Sequence, residues 1–178
     1  MRNKALVVAG IFVVAVLGVA GASASASGGG EEVEARGGFA FEPNKEIQGT
    51  LNWHSGELKI RSGEDLRILS NDEIPGEPHV FTIVNQVEQP QTLEELFVGG
   101  CDTCNTALAA HDTNGNQQLD EGDQLVVNVG PAGLNEVGDS VALPDEATMV
   151  EMVTAPAGTT LYFMCAIHPE MQGVLEVR

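Results

Sequence analysis

The stretch Gly158–Arg178, with the sequence GTTLYFMCAIHPEMQGVLEVR, contains two predicted strands joined by a short loop. The first strand, Thr159 to Met164, is rich in the Thr, Tyr and Phe side chains that favour a pleated, half-buried surface. The second strand is predicted at Gly173–Arg178. The loop carries three side chains that can bind a metal ion: Cys165, His168 and Met171. Thiolate and thioether sulfur atoms are soft ligands, and they indicate a transition metal.

A metal site on this loop needs one more ligand from elsewhere in the chain, and His79 is the best candidate. It follows Pro78 directly and leads an apolar strand, Val80 to Val84. His54 precedes a glycine turn, so we expect it at the surface and keep it as the reserve candidate. A trigonal site of two His and one Cys with a distant axial Met is the blue copper arrangement. The predicted copper ligands are therefore His79, Cys165, His168 and Met171.

Together these residues resemble the cupredoxin family, whose members hold a type 1 blue copper site. The loop Cys-Ala-Ile-His-Pro-Glu-Met is similar to the short ligand loops of its amicyanin-like and plastocyanin-like members. The resemblance covers about Ile47 to Val84 and about Met149 to Arg178, and the middle of the chain departs from it. Two alternatives stay open, since zinc sites also use a Cys-x-x-His pair. Sulfur and imidazole groups can also simply pack the end of a barrel.

The resemblance implies a blue copper electron carrier, not an enzyme, that cycles between Cu(I) and Cu(II) and passes single electrons between redox proteins. By the same resemblance, His168 would pass the electron through its surface edge. Its apolar surround would be Ala166, Ile167 and Pro169. Asn71 or Asp72 would stabilise the loop that bears His79. The alternatives are a mononuclear copper protein with an open catalytic position, and a copper-binding or delivery module.

The wider hydrophobic pattern predicts an all-β fold. Alternating runs such as Leu58–Arg61 and Leu66–Leu69 are typical of strands with one solvent-facing side. Further strands are expected at Phe39–Phe41, Ile47–Trp53, Leu125–Val129 and Met149–Thr154. Gly, Pro, Asn and Asp interrupt the chain often, and helical periodicity is scarce. These features favour a Greek-key, cupredoxin-like β-sandwich over residues 39–178.

The beginning of the chain is predicted to be a targeting segment. Residues 1–24 combine Arg2 and Lys4, the apolar run Ala5–Ala20 and the small residues Ala22-Ser23-Ala24, which are typical of a signal peptide. An uncleaved N-terminal anchor is the alternative, because the apolar run approaches the length that spans a bilayer. Residues 25–38 lack an apolar pattern and predict a flexible acidic leader. Either way the domain is expected to be exported, in the periplasm or the extracellular space.

The acidic composition limits the classes of partner. The chain carries 8 basic and 26 acidic residues, which gives a formal net charge of −18. Nucleic acid and anionic membrane surfaces would repel such a protein, so we expect membrane contact only through an uncleaved N-terminal segment. The positive implication is a redox partner with a basic docking surface. Solubility in a salty habitat is an equally good explanation of the same charge.

The separation between His79 and Cys165 indicates an insertion of about residues 88–145. Only Thr92–Phe97 and Asn105–Ala110 in this stretch have passable helical patterns. Its apolar content is too low to close a second core, so we expect an elaborated loop that needs covalent or metal cross-links.

Cys101 and Cys104 are the first candidate cross-link. They can pair with each other in an exported protein and leave Cys165 unpaired. A disulfide is the leading interpretation, and a second metal site with His111 or a redox-active pair are the alternatives. The sequence argues against a c-type haem, because Asn105 stands where that motif requires His.

An acidic loop is the second candidate cross-link. Oxygen-bearing side chains occur at the spacing of an EF-hand or dockerin-like calcium loop: Asp112, Asn114, Asn116, Gln118, Asp120 and Asp123. Gln117 replaces the usual Gly, Asp123 is shorter than the usual Glu, and a strand pattern replaces the exit helix. A structural calcium ion and a solvated acidic turn are therefore both open.

Overall fold

The computed structural model describes residues 30–120 and 122–178. The predicted signal peptide and residues 25–29 of the predicted leader lie outside this part of the chain. Among the described residues, no helix combines the length and the apolar character needed to cross a bilayer.

Twelve strands and two α-helices occur in the described part of the chain. The strands are β1 (Glu32–Arg36), β2 (Phe39–Glu42), β3 (Glu46–Gly49), β4 (Asn52–His54), β5 (Glu57–Ile60), β6 (Asp65–Ser70), β7 (His79–Val84), β8 (Val126–Val127), β9 (Ser140–Leu143), β10 (Thr148–Met152), β11 (Thr160–Cys165) and β12 (Gln172–Val177). The helices are α1 (Leu93–Val98) and α2 (Asp102–His111), and a short 3₁₀ helix spans Gln86–Glu88.

The strands form a sandwich of two sheets. One sheet has the strand order β10-β6-β1-β4, and the other has the order β5-β12-β11-β7-β9-β8. Strands β2 and β3 pair with each other as a separate hairpin. Neighbours in the chain, such as β4 and β5 or β9 and β10, lie in different sheets, which is how Greek-key connections build a sandwich. The prediction of an all-β sandwich is confirmed.

The core lies between the sheets because alternate residues of the strands point inward. In β6, Leu66 and Ile68 are fully buried, whereas Arg67 between them is exposed. The rings of Phe81 and Phe163 stack with their centroids 4.6 Å apart. All six residues of β7 are buried, because α2 packs against this strand on the outside of the sandwich.

Strand β1 corrects the prediction of a flexible leader over residues 25–38. Residues 32–36 pair in parallel with β6 and antiparallel with β4. Val33 and Ala35 are fully buried, so the strand contributes to the core. The pattern in the sequence is weak, because only these two small apolar side chains alternate with charged residues in the segment.

The segment predicted as an insertion, about residues 88–145, is partly built into the sandwich. Strands β8 and β9 extend the six-stranded sheet, where β9 pairs with β7 and buries all four of its residues. The stretch with α1, α2 and the acidic loop remains outside the sheets, and both helical runs expected there form helices. The predicted strand Ile47–Trp53 is divided between β3 and β4.

Helix α2 is attached to the six-stranded sheet at both ends. At its end, His111 is buried, with Nε2 2.9 Å from Ser140 Oγ and Nδ1 against the carbonyl oxygen of Gln124. At its beginning, a disulfide joins Cys101 and Cys104, and Cys104 packs in a small apolar cluster with Val84 and Met164. The disulfide prediction is confirmed, and His111 is a structural contact between α2 and β9.

Helix α1 buries none of its own residues, and the segment before it is held by side-chain hydrogen bonds. Gln89 Nε2 donates to the carbonyl oxygens of Phe163 and Gly173, at 2.9 Å each. Gln172 Nε2 donates to the carbonyl oxygen of Pro90 at 2.8 Å. These contacts place α1 beside the hairpin of β11 and β12.

Gly173 allows this hairpin to pack closely. It lies opposite Phe163 in the β11–β12 register. A Cβ atom at this position would lie 2.3 Å from the carbonyl oxygen of Gly56 and 2.4 Å from Phe163 Cζ. Both contacts are too short, so only glycine fits without moving the strand or the aromatic ring.

We expect Gly173→Ala to lower the free energy of unfolding by roughly 1–3 kcal/mol, the usual cost of overpacking a core. Gly100→Ala is the matched control, because a Cβ atom at Gly100 meets nothing within 4 Å. Its unfolding free energy should stay within about 0.5 kcal/mol of the wild type. Urea unfolding followed by Trp53 fluorescence measures both values. Equal stabilities for the two variants would contradict the packing argument.

Candidate metal centre

Two neighbouring strands bring the first two predicted ligands together. His79 is the first residue of β7 and Cys165 is the last residue of β11. The strands are antiparallel, with Phe81 opposite Cys165, so the imidazole and the thiol lie at the same end of the sheet. The loop after β11 then brings back His168. The two sequence-distant parts of the predicted site therefore meet where β7 begins and β11 ends.

The three side chains form a compact triangle of ligand atoms. Cys165 Sγ lies 3.8 Å from His79 Nδ1 and 3.7 Å from His168 Nδ1. The two Nδ1 atoms are 3.3 Å apart. A triangle with these sides has its centre about 2.1 Å from each corner, close to the bond lengths of about 2.0–2.3 Å between a transition metal and His or Cys. The residues present therefore fit a single metal ion bound by two imidazoles and one thiolate.

The far nitrogen of each imidazole contacts a carboxylate. His79 Nε2 lies 2.8 Å from Asp72 Oδ2, and both side chains are fully buried. His168 Nε2 lies 2.8 Å from Glu77 Oε1, with the His side chain 12% exposed and the Glu side chain 29% exposed. A carboxylate that accepts from Nε2–H fixes the tautomer in which Nδ1 carries the lone pair. Both Nδ1 atoms are thus prepared to act as ligands.

Asp72 also stabilises the loop before β7, as the sequence suggested for Asn71 or Asp72. Its Oδ1 accepts from the backbone amide of Ile74 at 2.7 Å, while Oδ2 contacts His79. Asn71 instead donates to Glu34 Oε1 at 2.6 Å. The role of Glu77 was missed in the sequence, because a lone Glu before Pro-His has no spacing that identifies it as an imidazole partner.

The Cys165 sulfur is enclosed by protein. The residue is fully buried, and the backbone amide of Val80 donates to Sγ at 3.4 Å. Burial raises the pKa of the Cys165 thiol to about 11, although backbone amides near the sulfur oppose the shift. A metal cation that replaces the proton would remove this penalty, since bound metal ions deprotonate coordinating thiols.

The ligand loop is closed by its own backbone. The backbone amide of Cys165 donates to the carbonyl oxygen of Met171 at 2.8 Å. The backbone amide of Met171 donates to the carbonyl oxygen of His168 at 2.9 Å. Met171 is fully buried in the main core cluster. The role of Met171 as the axial ligand stays a prediction.

His168 is held in its neutral form by its surroundings. Burial, and after it the positive charge that His79 would carry, keep the pKa of His168 below its ordinary value. The carboxylates of Glu77 and Glu170 act in the opposite direction. A neutral imidazole is the form that binds a metal, so this environment favours ligation.

The acidic loop forms a different kind of cluster. Asn114 Nδ2 donates to Asp120 Oδ1 at 3.1 Å, and Asn116 Nδ2 donates to Asp120 Oδ2 at 2.7 Å. Asp112 accepts from the backbone amide of Gln117 at 2.8 Å. Within residues 30–120 and 122–178, His79, Cys165 and His168 are the one group of three His, Cys, Asp or Glu side chains whose ligand atoms all lie within 4.8 Å. Calcium in the acidic loop therefore stays a prediction.

His54 is exposed in β4, opposite Glu34. The structure therefore places the reserve candidate for the second imidazole at the surface, as expected, and does not bring it into the described ligand triangle.

No protein-family model matches the sequence, and no curated protein matches it. Among solved structures, the chain is similar to auracyanin A, a "blue" copper protein from Chloroflexus aurantiacus. The identity is 19% and the TM-score 0.43, and the match covers 84% of this chain and all of that one. Auracyanin from Roseiflexus castenholzii is 15% identical, with coverages of 83% and 94% and a TM-score of 0.42. A purple cupredoxin from Nitrosopumilus maritimus is 12% identical, with coverages of 83% and 99% and a TM-score of 0.42. This chain's own sandwich and its His-Cys-His triangle agree with the cupredoxin resemblance of the sequence.

We expect the metal-free, folded protein to react with iodoacetamide at pH 8 at least about 100-fold more slowly than the denatured protein. A pKa of about 11 in place of 9.0 lowers the thiolate fraction of Cys165 about 100-fold at this pH. The rate should rise with pH until the pH approaches 11. Mass spectrometry of the quenched reaction measures the label.

The same labelling tests the disulfide. Denatured, unreduced protein should take up one label, at Cys165, and fully reduced protein should take up three. Cys165→Ser should take up none without reduction. Rapid labelling of the folded wild type, or label on Cys101 before reduction, would contradict the described environments.

Proposed function

We propose that the protein is a blue copper electron carrier of the cupredoxin type, with copper bound by His79, Cys165 and His168 and with Met171 as the axial ligand. The observation that carries the proposal is the buried triangle of Nδ1, Nδ1 and Sγ atoms with sides of 3.3–3.8 Å. Two imidazoles and one thiolate in a trigonal arrangement are typical of a blue copper site.

Copper at this position would supply a one-electron Cu(I)/Cu(II) couple. The protein's part is to hold the ligands in one arrangement for both oxidation states. His79 and Cys165 are fully buried on adjacent strands, and Asp72 and Glu77 fix the two rings. A rigid set of ligands keeps the structural change on electron transfer small, and burial excludes water from the centre. This arrangement favours electron transfer over the alternative of an open catalytic position.

The route for the electron is the edge of His168. Its side chain is 12% exposed, whereas His79 and Cys165 are fully enclosed. The residues around it, Ala166, Ile167 and Pro169, are partly exposed. A partner that packs on these apolar side chains would come within a few bonds of the centre without entering it.

Features of the sequence support a proposal for the compartment and for the partner. The signal peptide predicted over residues 1–24 supports a periplasmic or extracellular location, and the Cys101–Cys104 disulfide is of the kind that persists in oxidising compartments. The formal charge of −18 supports a redox partner with a basic docking surface, because complementary charges speed the encounter of the two proteins.

Addition of Cu²⁺ to the metal-free protein tests the function. We expect one copper per molecule and an intense visible absorption from a copper–thiolate bond, with a matching paramagnetic resonance signal. Cys165→Ser and His79→Ala should abolish the colour, whereas His54→Ala, the matched imidazole control at an exposed position, should keep it. Colour that depends on His54 and not on His79 would refute the ligand assignment. Rapid loss of copper to a chelator would favour a delivery module.

We expect Glu77→Gln to raise the reduction potential of the copper-loaded protein. The Glu77 carboxylate makes the His168 imidazole a stronger donor, and its negative charge favours the more positive oxidation state. A tenfold change in relative affinity for the two states corresponds to about 59 mV for one electron, and a shift of roughly this size is expected in voltammetry. Glu57→Gln removes an exposed carboxylate from β5 and is the control. Equal potentials in both variants would show that Glu77 does not act on the site.

A further inference from the structure

Helix α1 and the turn before it carry an unusual number of exposed apolar side chains. We define the α1 patch as Val87, Leu93, Phe97 and Val98, which are between 73% and 93% exposed. Leu93 and Phe97 are one helical turn apart, so they lie on the same face of the helix. Single exposed apolar residues are ordinary on protein surfaces, but a cluster of them marks an interaction site.

The α1 patch is continuous with the surface around the metal centre. A cleft of about 410 Å³ separates the helix from the ligand loop, and its apolar lining includes Val87, Leu96, Ala166, Ile167 and Pro169. A smaller cleft of about 290 Å³ on the other side of Leu96 reaches from Leu93 to Glu170. The patch therefore lies next to the residues on either side of His168.

The α1 patch belongs to a stretch of the chain that is strongly acidic and has no basic residues. No Lys or Arg occurs between Ile68 and Val177, a range that holds most of the 26 acidic residues. This range includes the ligands, both helices and the acidic loop. Carboxylates accompany the apolar side chains of the patch: Glu88, Glu94, Glu95, Asp102 and Glu170. The surface thus combines exposed apolar side chains with carboxylates, and all of these residues come from a stretch of sequence without Lys or Arg.

We propose that the α1 patch, together with the clefts beside Leu96, is the docking surface for a redox protein whose own contact area is apolar and ringed by Lys or Arg. The proposal rests on the proposed function, since it places the electron's destination beside His168. Charge complementarity selects this occupant. A second copy of the chain would bring a like-charged rim against the patch, and an anionic membrane would be repelled in the same way.

The chemistry of the surface suits a short-lived complex. The acidic rim accelerates the encounter, and a small apolar centre orients the partner without holding it for long. Electron-transfer complexes are among the smallest specific interfaces, with less than about 1,200 Å² buried in total. With copper bound, one electron would pass from the reduced site through the His168 edge to the partner's oxidised centre, and no bond would be made or broken.

Mitochondrial cytochrome c, a small basic haem protein, is the probe for the test. The first measurement follows the backbone amide NMR signals of the metal-free protein as reduced cytochrome c is added. We expect shifts in α1 and the ligand loop, and a dissociation constant that rises steeply with salt. Shifts confined to the acidic loop or to the β10 edge, or no shifts at low salt, would overturn the proposal whatever the metal content.

The second measurement is the rate at which the reduced, copper-loaded protein reduces ferricytochrome c. Leu93→Ser/Phe97→Ser should lower the second-order rate constant at least about fivefold, since the apolar centre is lost. Val150→Ser/Met152→Ser is the matched control, because these side chains are 52% and 46% exposed on β10, and its rate should stay within about twofold. Equal rates for the two double variants would overturn the proposal.

Ferricyanide separates this proposal from the proposed function. As a small oxidant it needs no docking surface, so wild type and both double variants should reduce it at similar rates. If the wild type binds no copper or fails to reduce ferricyanide, the proposed function fails, and the NMR titration still decides the docking surface. If ferricyanide reacts normally and Leu93→Ser/Phe97→Ser behaves as wild type with cytochrome c, only the docking surface fails.

Discussion

The pairing of β7 with β11 is the constraint on which the rest of the structure depends. Its register places Phe81 opposite Cys165 and lets the amide of Val80 donate to the Cys165 sulfur. His79, two residues before Phe81, then stands beside the thiol. A shift of one residue would turn one of these side chains to the other face of the sheet. The stacked rings of Phe81 and Phe163 oppose such a shift, so the core that stabilises the sandwich also aligns the ligands.

The end of the sheet where β7 begins and β11 ends buries several polar side chains. Burial of their polar atoms without a ligand would destabilise the folded protein. A thiol and an imidazole are fully buried, and a second imidazole is nearly so. The carboxylates of Asp72 and Glu77 offset part of this cost, because each accepts a hydrogen bond from an Nε2–H group. The remaining donor atoms, two Nδ1 and one Sγ, face one another. Their geometry is explained by a cation between them.

Much of the site could be predicted from the sequence because its signals are local. Cys165, His168 and Met171 lie within one short loop, and His79 stands at a strand start after a proline. The sandwich was predictable from alternating runs such as Leu66–Leu69. By contrast, β1 has only two small apolar side chains, and their burial comes from packing in the core with residues that are distant in the sequence. The carboxylate of Glu77 reaches His168 only through the folded loop, so no pattern in the sequence could reveal it.

The hydrogen bonds of Gln89 and Gln172 help to fix the position of helix α1 on the protein surface. The helix contributes no side chain to the core, yet the segment before it is tied to the β11–β12 hairpin and the segment after it ends at the Cys101–Cys104 disulfide. Its exposed face is therefore presented in one orientation before any encounter. A partner protein that binds there would not have to order helix α1, so little conformational entropy would be lost on association.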